Sequence, residues 1–436
     1  MTRRTSVVVA VIASASLLAA CGGSVPSPTP GSNAATPVPA GGGSAAPASG
    51  GTLTIGIGGY PPTFNYNLNG SAPGYSIYRA IQEHLTGATT DGTGLRPELA
   101  ESWTLIDDTT WQFKLRHGVT WHDGTPFTAD DVVATIDIVL NGKPESYYRT
   151  RIADATGAEK VDDFTVNIKT KQKSAILPVG LADIYIYQAK QIRDGGNEAI
   201  SAHPVGTGQF KLAGSEEGVS VTLERYDGYW GEKAHLDKVV FRAIPEDATR
   251  LAALERGEID IAYNVPPDDA PRLEGSSDIT VVSSPIGQIM NVNFSLNSDV
   301  IPADSPLRNV KVRQALNYGV DKESIVENLL QGFTKVAPGQ VIAADGLGHN
   351  PAIEAYPYDP EKAKQLLAEA GYPDGFEFVL TTAQGRYVKQ LEIPQAIAGQ
   401  LEAVGVKVDL DVRDWSAIES ELGGGLPAYY AGWNYF

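Results

Sequence analysis

The residue types that most readily carry chemistry are sparse in this chain and poorly spaced for it. Its 436 residues include one cysteine, Cys21, and six histidines: His84, His117, His122, His203, His235 and His349. A lone thiol forms no intramolecular disulfide and no thiolate pair for a metal. No His-Glu-x-x-His helix or other zinc spacing occurs, and His117 and His122 are the closest pair in sequence. No Gly-x-Ser-x-Gly elbow offers a serine nucleophile. The pattern therefore predicts no catalytic residue, no metal and no cofactor, and it disfavours a secreted hydrolase. What stands out instead is a polar–aromatic segment, Tyr60-Pro-Pro-Thr-Phe-Asn-Tyr-Asn67. Tyr60, Phe64 and Tyr66 could cover a small molecule and Asn65 could hydrogen-bond it; packing against the protein's own core is an equally good use of the same rings.

That segment directly follows a predicted strand, in which Leu53, Ile55 and Ile57 alternate. Trp111/Phe113/Leu115, Phe164/Val166/Ile168 and Val219/Val221/Leu223 alternate in the same way. Thr128-Ala-Asp-Asp131 opens a helix through about Leu140 as a capping box, and Asp247 is placed to cap a helix through Glu255 that ends before Gly257, with a strand over 259–263. Asp359-Pro360 starts another helix, whose Ala363, Leu366, Leu367 and Ala370 share one face. Phe376/Phe378/Leu380, a helical stripe of Ile393, Ile397, Leu401 and Val404, and the alternating Val406, Val408, Leu410 and Val412 form a βαβ unit with parallel strands.

The chain opens with Arg3 and Arg4, then an apolar run from Val7 to Ala20, too short for a comfortable membrane span. Ending at Leu18-Ala-Ala-Cys21, it resembles a bacterial lipoprotein signal, in which Cys21 would be lipidated and become the mature N-terminus. Residues 22–50 are Gly, Ser, Ala, Pro and Thr except for Val25, Asn33 and Val38, and no charged residue occurs between Arg4 and Arg79. Such a segment cannot bury enough apolar surface to fold, and as a coil it reaches roughly 30 Å. The whole chain carries 34 basic against 52 acidic residues, a net charge of −18. That balance argues against nucleic acid and against electrostatic adhesion to anionic lipid, which leaves the lipid as the sole membrane anchor.

Several segments together resemble one family. They are Leu95 to Trp103, Trp111 to Gly118, Trp121-His-Asp-Gly-Thr-Pro-Phe-Thr-Ala-Asp-Asp-Val132, Gly206 to Phe210, Tyr229-Trp-Gly231, Leu254 to Asp260, Val312 to Leu316, and Ala363 to Gly371. Their order and spacing are similar to those of the extracellular solute-binding proteins of family 5, the peptide, oligopeptide and nickel class that serves ABC importers. The resemblance implies an α/β, bilobed, periplasmic-binding-protein-like fold of the large peptide-binding type II class, with a hinge between two α/β lobes. It implies a monomer held outside the cytoplasm on the outer face of the cell membrane. There it captures a peptide or related small solute and passes it to a permease coupled to an ATPase. Nickel chelates or oligosaccharides on the same scaffold, or a sensory role without transport, are the alternatives. The expected organisation is a signal at 1–21, a tether at 22–50, lobe I at 51–285 with a subdomain inserted at about 75–200, and lobe II at 286–436.

The same resemblance assigns the 60–67 region to the cleft, and it makes Asn291 and Asn293 hinge candidates where the chain enters lobe II. Tyr430-Ala-Gly-Trp-Asn-Tyr-Phe436 is similar to a family segment with Gly-Trp shortly before an Asp that pairs with a peptide's α-amino group. Trp433 is thereby a cleft candidate. Phe436 stands where that Asp would fall, which leaves two expectations: a lobe II that is incomplete, with its C-terminal part missing and its stability and ligand binding impaired, or a ligand that is not a free-amino peptide.

Overall fold

The computed structural model describes residues 49–68, 74–89, 94–284, 288–297, 299–342, 346, 348–383, 387–414, 418, 421 and 425–434. Cys21, the signal and the tether up to residue 48 lie outside the described residues.

The strands in chain order are β1 (Thr52–Ile57), β2 (Thr86–Ala88), β3 (Leu95–Pro97), β4 (Ala100–Asp107), β5 (Thr110–Leu115), β6 (Ala155–Asp162), β7 (Thr165–Thr170), β8 (Phe210–Glu216), β9 (Ser220–Arg225), β10 (Lys238–Ala243) and β11 (Ile261–Ala262) in the first part. The second part contains β12 (Gln288–Phe294), β13 (Phe376–Ala383), β14 (Val406–Arg413) and β15 (Ala428–Asn434).

The first sheet has the order β11-β1-β10-β9-β8, with β1 parallel to both β10 and β11. The alternation read from the sequence buries Ile55 and Ile57 against Ile77, Ile81, Leu223 and Phe241. Between β1 and β8 the chain leaves this sheet and builds an antiparallel one, β4-β5-β7-β6. Helix Ala129–Asn141 packs across β6. The side-chain oxygen of Asp131 accepts the Thr128 N–H at 2.9 Å, the return half of the predicted capping box. It also accepts from the Trp121 indole at 3.2 Å, and its partner oxygen from the Ala189 N–H at 2.7 Å. A helix start is thereby fused to the Trp121 turn.

The second part has one sheet, β12-β15-β13-β14. The predicted βαβ unit is present: β13 and β14 are parallel from Phe376↔Val406 to Ala383↔Arg413, joined by helix Glu392–Glu402. Asp359 caps helix Pro360–Glu369 by accepting the Lys362 N–H at 2.9 Å, and Gly371 follows it at φ +94°. Its buried face, Ala363, Leu366 and Leu367, joins Val312, Leu316, Leu380 and Val406 in a core that shares no residue with those of the first part.

Two local readings are corrected. Asp247 is the first residue of helix Asp247–Glu255, not its cap; Glu246 precedes it with extended backbone, and the Asp247 carboxylate is drawn to Arg250. The strand expected over 259–263 shrinks to Ile261–Ala262, because it lies at a sheet edge with β1 as its partner.

Candidate functional site

In open α/β sheets, ligands sit beyond the carboxyl ends of the parallel strands. In the first part β1, β10 and β11 end together at Ile57, Ala243 and Ala262, followed by the segments 58–67, 244–246 and 263–269. In the second part β13 is parallel to both β14 and β15, and the ends lie at Ala383, Arg413 and Asn434. Asp268, six residues past β11, forms an ion pair with Lys389, six residues past β13. This contact brings the carboxyl edges of the two lobes to a common rim.

Each side of the rim is braced. Arg250, only 1% exposed, donates to the carbonyls of Ile244 at 2.8 Å and Pro245 at 3.3 Å after β10. It also donates to the carbonyls of Tyr263 at 3.0 Å and Asn264 at 3.1 Å after β11, and contacts the Asp247 carboxylate. One buried guanidinium thus fixes two rim loops. Opposite, Tyr387 donates its hydroxyl to the Gly432 carbonyl at 3.2 Å and its N–H to Gln390 Oε1 at 3.0 Å. The Lys389 carbonyl accepts the Ile393 N–H at 3.0 Å, which ties the loop to the helix behind it.

The candidates read from the sequence separate clearly. Tyr60 lies three residues past β1, partly buried, with its ring edge-on to Phe64 at 6.5 Å. Phe64 is inside the core of the first sheet. Asn65 is fully buried and donates to Asn197 Oδ1 at 2.9 Å. Tyr66 stacks on Tyr148 at 4.7 Å, and burial pushes its phenol pKa upward. The side chains of Phe64, Asn65 and Tyr66 thus lie in the lobe's interior, the second of the two uses that the sequence offered for them. Asn291 and Asn293 lie within β12, opposite Ala431 and Tyr429 of β15. They enter the second sheet just after the chain has left the first. Trp433 pairs with Ile289 at the carboxyl end of β15, on the rim side of lobe II. Phe436 lies outside the described residues.

The motif residues build the scaffold. Trp121-His-Asp-Gly is a turn, with the Trp121 N–H donating to the Thr125 carbonyl at 2.8 Å and Gly124 at φ +84°. The Glu83 carboxylate accepts from Tyr229 Oη at 3.0 Å and Trp230 Nε1 at 2.9 Å, while Arg116 lies 4.1 Å from the Trp230 ring centroid. Burial pushes the Glu83 pKa up to about 7 despite those donors. Burial also opposes ionisation of Glu98, but His84, Arg79 and Arg96 overcome it and hold its pKa at about 2. His122 binds the Gly206 N–H and Gly208 carbonyl, and burial lowers its pKa to about 4. Among the described residues no cluster of His, Cys, Asp and Glu could hold a metal ion, and no helix is long and apolar enough to cross a membrane.

Asp268, Lys389 and Arg250 were not singled out by the sequence. The one local signal was Pro266-Pro267 ahead of Asp268, a stiff presentation of an acidic pair.

Two α/β lobes that meet at the carboxyl ends of their strands define a bilobed binding-protein fold. The chain belongs to the bacterial extracellular solute-binding proteins, family 5 (Middle), whose family model matches residues 94–436. It is 32% identical over 349 residues to the glutathione-binding protein GsiB of Pectobacterium atrosepticum, covering 77% of this chain and 65% of that relative. The chain thus spans about two thirds of the length of the curated relatives it matches. Among solved structures it is similar to AgaA in complex with agropinic acid from A. tumefacien R10 (TM-score 0.74, 30% identity, 88% of this chain and 77% of that one). It is also similar to DppA of Helicobacter pylori in complex with the peptide STSA (TM-score 0.73, 25% identity, 89% and 78%). A third is the oligopeptide-binding protein AppA of Bacillus subtilis in complex with a nonapeptide (TM-score 0.74, 26% identity, 89% and 80%).

Proposed function

We propose that the chain is the substrate-binding component of an ABC importer, which takes up a peptide or related small solute between its lobes and hands it to a membrane permease. The observation that carries this reading is the Asp268–Lys389 contact, which puts the carboxyl edges of two independent sheets at one rim. A ligand there is buried by both lobes, and closure needs few backbone changes. Family membership supports the binding role, and the peptide class is supported by relatives described as binding glutathione, a tetrapeptide and a nonapeptide. Tyr60 and Trp433 are the ligand-contact candidates that stand at the rim. The scaffold carries binding and not catalysis, and it works as a monomer. Cys21 is the lipid anchor on the outer face of the membrane.

A second reading, a small acidic solute of non-peptide type, is favoured by the similarity to the agropinic acid complex. Native mass spectrometry of the purified protein, read for co-purified ligand, separates them. A ladder of peptide masses is the expected result. A single non-peptide acid, a sugar or a nickel chelate would replace the peptide assignment, and turnover of an added peptide would overturn the non-enzymatic one. Loss of membrane retention in Cys21→Ser tests the anchor.

A further inference from the structure

Lys389 and Asp268 stand 121 positions apart in sequence and on different lobes. Lys389 adopts a left-handed backbone, φ +52°, which an L side chain rarely takes without compensation. Its ammonium group is directed at Asp268 and lies 3.7 Å from Glu392, the first residue of the helix that follows; its side chain is 16% exposed against 55% for Asp268. Both supports are stiff. The Asp268 loop follows Pro266-Pro267 and carbonyls fixed by Arg250, with the Asp269 N–H donating to the Pro266 carbonyl at 3.0 Å. The Lys389 loop is held through Tyr387, Gln390 and Ile393. An ion pair between two ordered supports loses little side-chain entropy on forming, the usual reason exposed pairs contribute nothing.

We propose that Asp268 and Lys389 form an electrostatic latch between the lobes, one that biases the ligand-free protein toward the closed arrangement and makes that bias dependent on salt. The inference rests on reading the rim as the ligand cleft, but it concerns the empty protein. When the lobes part, Lys389 keeps Glu392 as a weaker partner and Asp268 turns to water, so the charge separation has no large penalty and the latch stays reversible. Charge screening acts directly on a pair exposed on one side.

The test is small-angle X-ray scattering on the ligand-free full chain at 20 mM and 500 mM sodium chloride, with circular dichroism to check the fold. The parent should expand at high salt. Asp268→Asn and Lys389→Met should each be expanded already at low salt and lose the salt response. The reversed pair Asp268→Lys with Lys389→Asp should recover part of it. A partly exposed pair of this kind is expected to shift the closed-to-open ratio roughly two- to five-fold. Identical scattering for the parent and both single variants at both salt concentrations would overturn the latch. So would single variants that keep the parent's salt response. Because no ligand is added, failure to find a peptide bears on the function and leaves this result standing.

Discussion

Gly56 in β1 gives up its side-chain space to Arg250: a Cβ built on the glycine would lie 3.1 Å from Arg250 Cγ and 2.5 Å from Ile259 Cδ1. The strand is thinned at the one point where the guanidinium stem passes beneath it toward the two rim loops. Gly56→Ala therefore displaces Ile259 and presses on the arginine that sets those loops, and the cost in urea unfolding is expected on the order of 2 kcal/mol from overpacking.

Arg250→Met keeps the stem and removes every donor. It leaves the buried carbonyl of Ile244, and the partly buried ones of Pro245, Tyr263 and Asn264, without this partner. Destabilisation of about 3 kcal/mol or more is expected in urea unfolding, and Arg250→Lys should fall between parent and Met because an ammonium lacks the fork needed to serve both loops. A loss below about 1 kcal/mol would contradict the bracing role.

Glu83 makes stability depend on pH. Its unfolded carboxyl ionises near 4.5 and its folded one near 7. Between those values the folded state keeps a proton that the unfolded state has released. The contribution is fully present below pH 4.5 and declines as pH rises to 7, with a ceiling of about 3 kcal/mol. Burial raises Asp183 to about 7 as well, against Arg151, and it acts in the same direction. Glu83→Gln should flatten the slope of melting temperature between pH 5 and 8 and stabilise the protein at pH 8. A slope equal to the parent's would reject this.

Asp131 serves three donors: the Thr128 N–H, the Ala189 N–H and the Trp121 indole. Asp131→Ala should therefore cost more than the roughly 1 kcal/mol of an ordinary helix cap, about 2–4 kcal/mol in thermal or urea unfolding. Asp131→Asn, which keeps one acceptor oxygen, should recover part of the loss.

Gly375, at φ +79°, crosses Gly405 so closely that a Cβ would meet the Gly405 carbonyl oxygen at 1.6 Å. Gly375→Ala should destabilise lobe II by about 2 kcal/mol or more, because neither the φ nor the space admits a methyl group. Chemical unfolding of parent and variant side by side checks it.

The scaffold was legible in the sequence where a local period reports a buried face. Phe376 to Val412 announces a parallel βαβ unit because Leu380, Ile397 and Val406 recur at the spacing their element requires. The polar–aromatic segment was ambiguous because composition does not distinguish a wet cleft from a satisfied interior: Asn65 meets Asn197, 132 positions away, and nothing local to either residue signals it. Arg250 reads as a surface arginine three residues after Asp247, since the carbonyls it serves belong to loops that only the folded sheet brings together. Lys389 and Asp268 are ordinary charges until two lobes meet. Site residues defined by long-range closure leave no periodic trace.

The second sheet has β15 between β12 and β13, with Gln288 opposite Asn434. During synthesis β12 emerges early and then waits, with neither edge paired, while both parallel strands and their helices are made before β15. Both sheets therefore close late, since Thr52 pairs with Lys238 in the first and Gln288 with Asn434 in the second, and such non-local pairing slows folding.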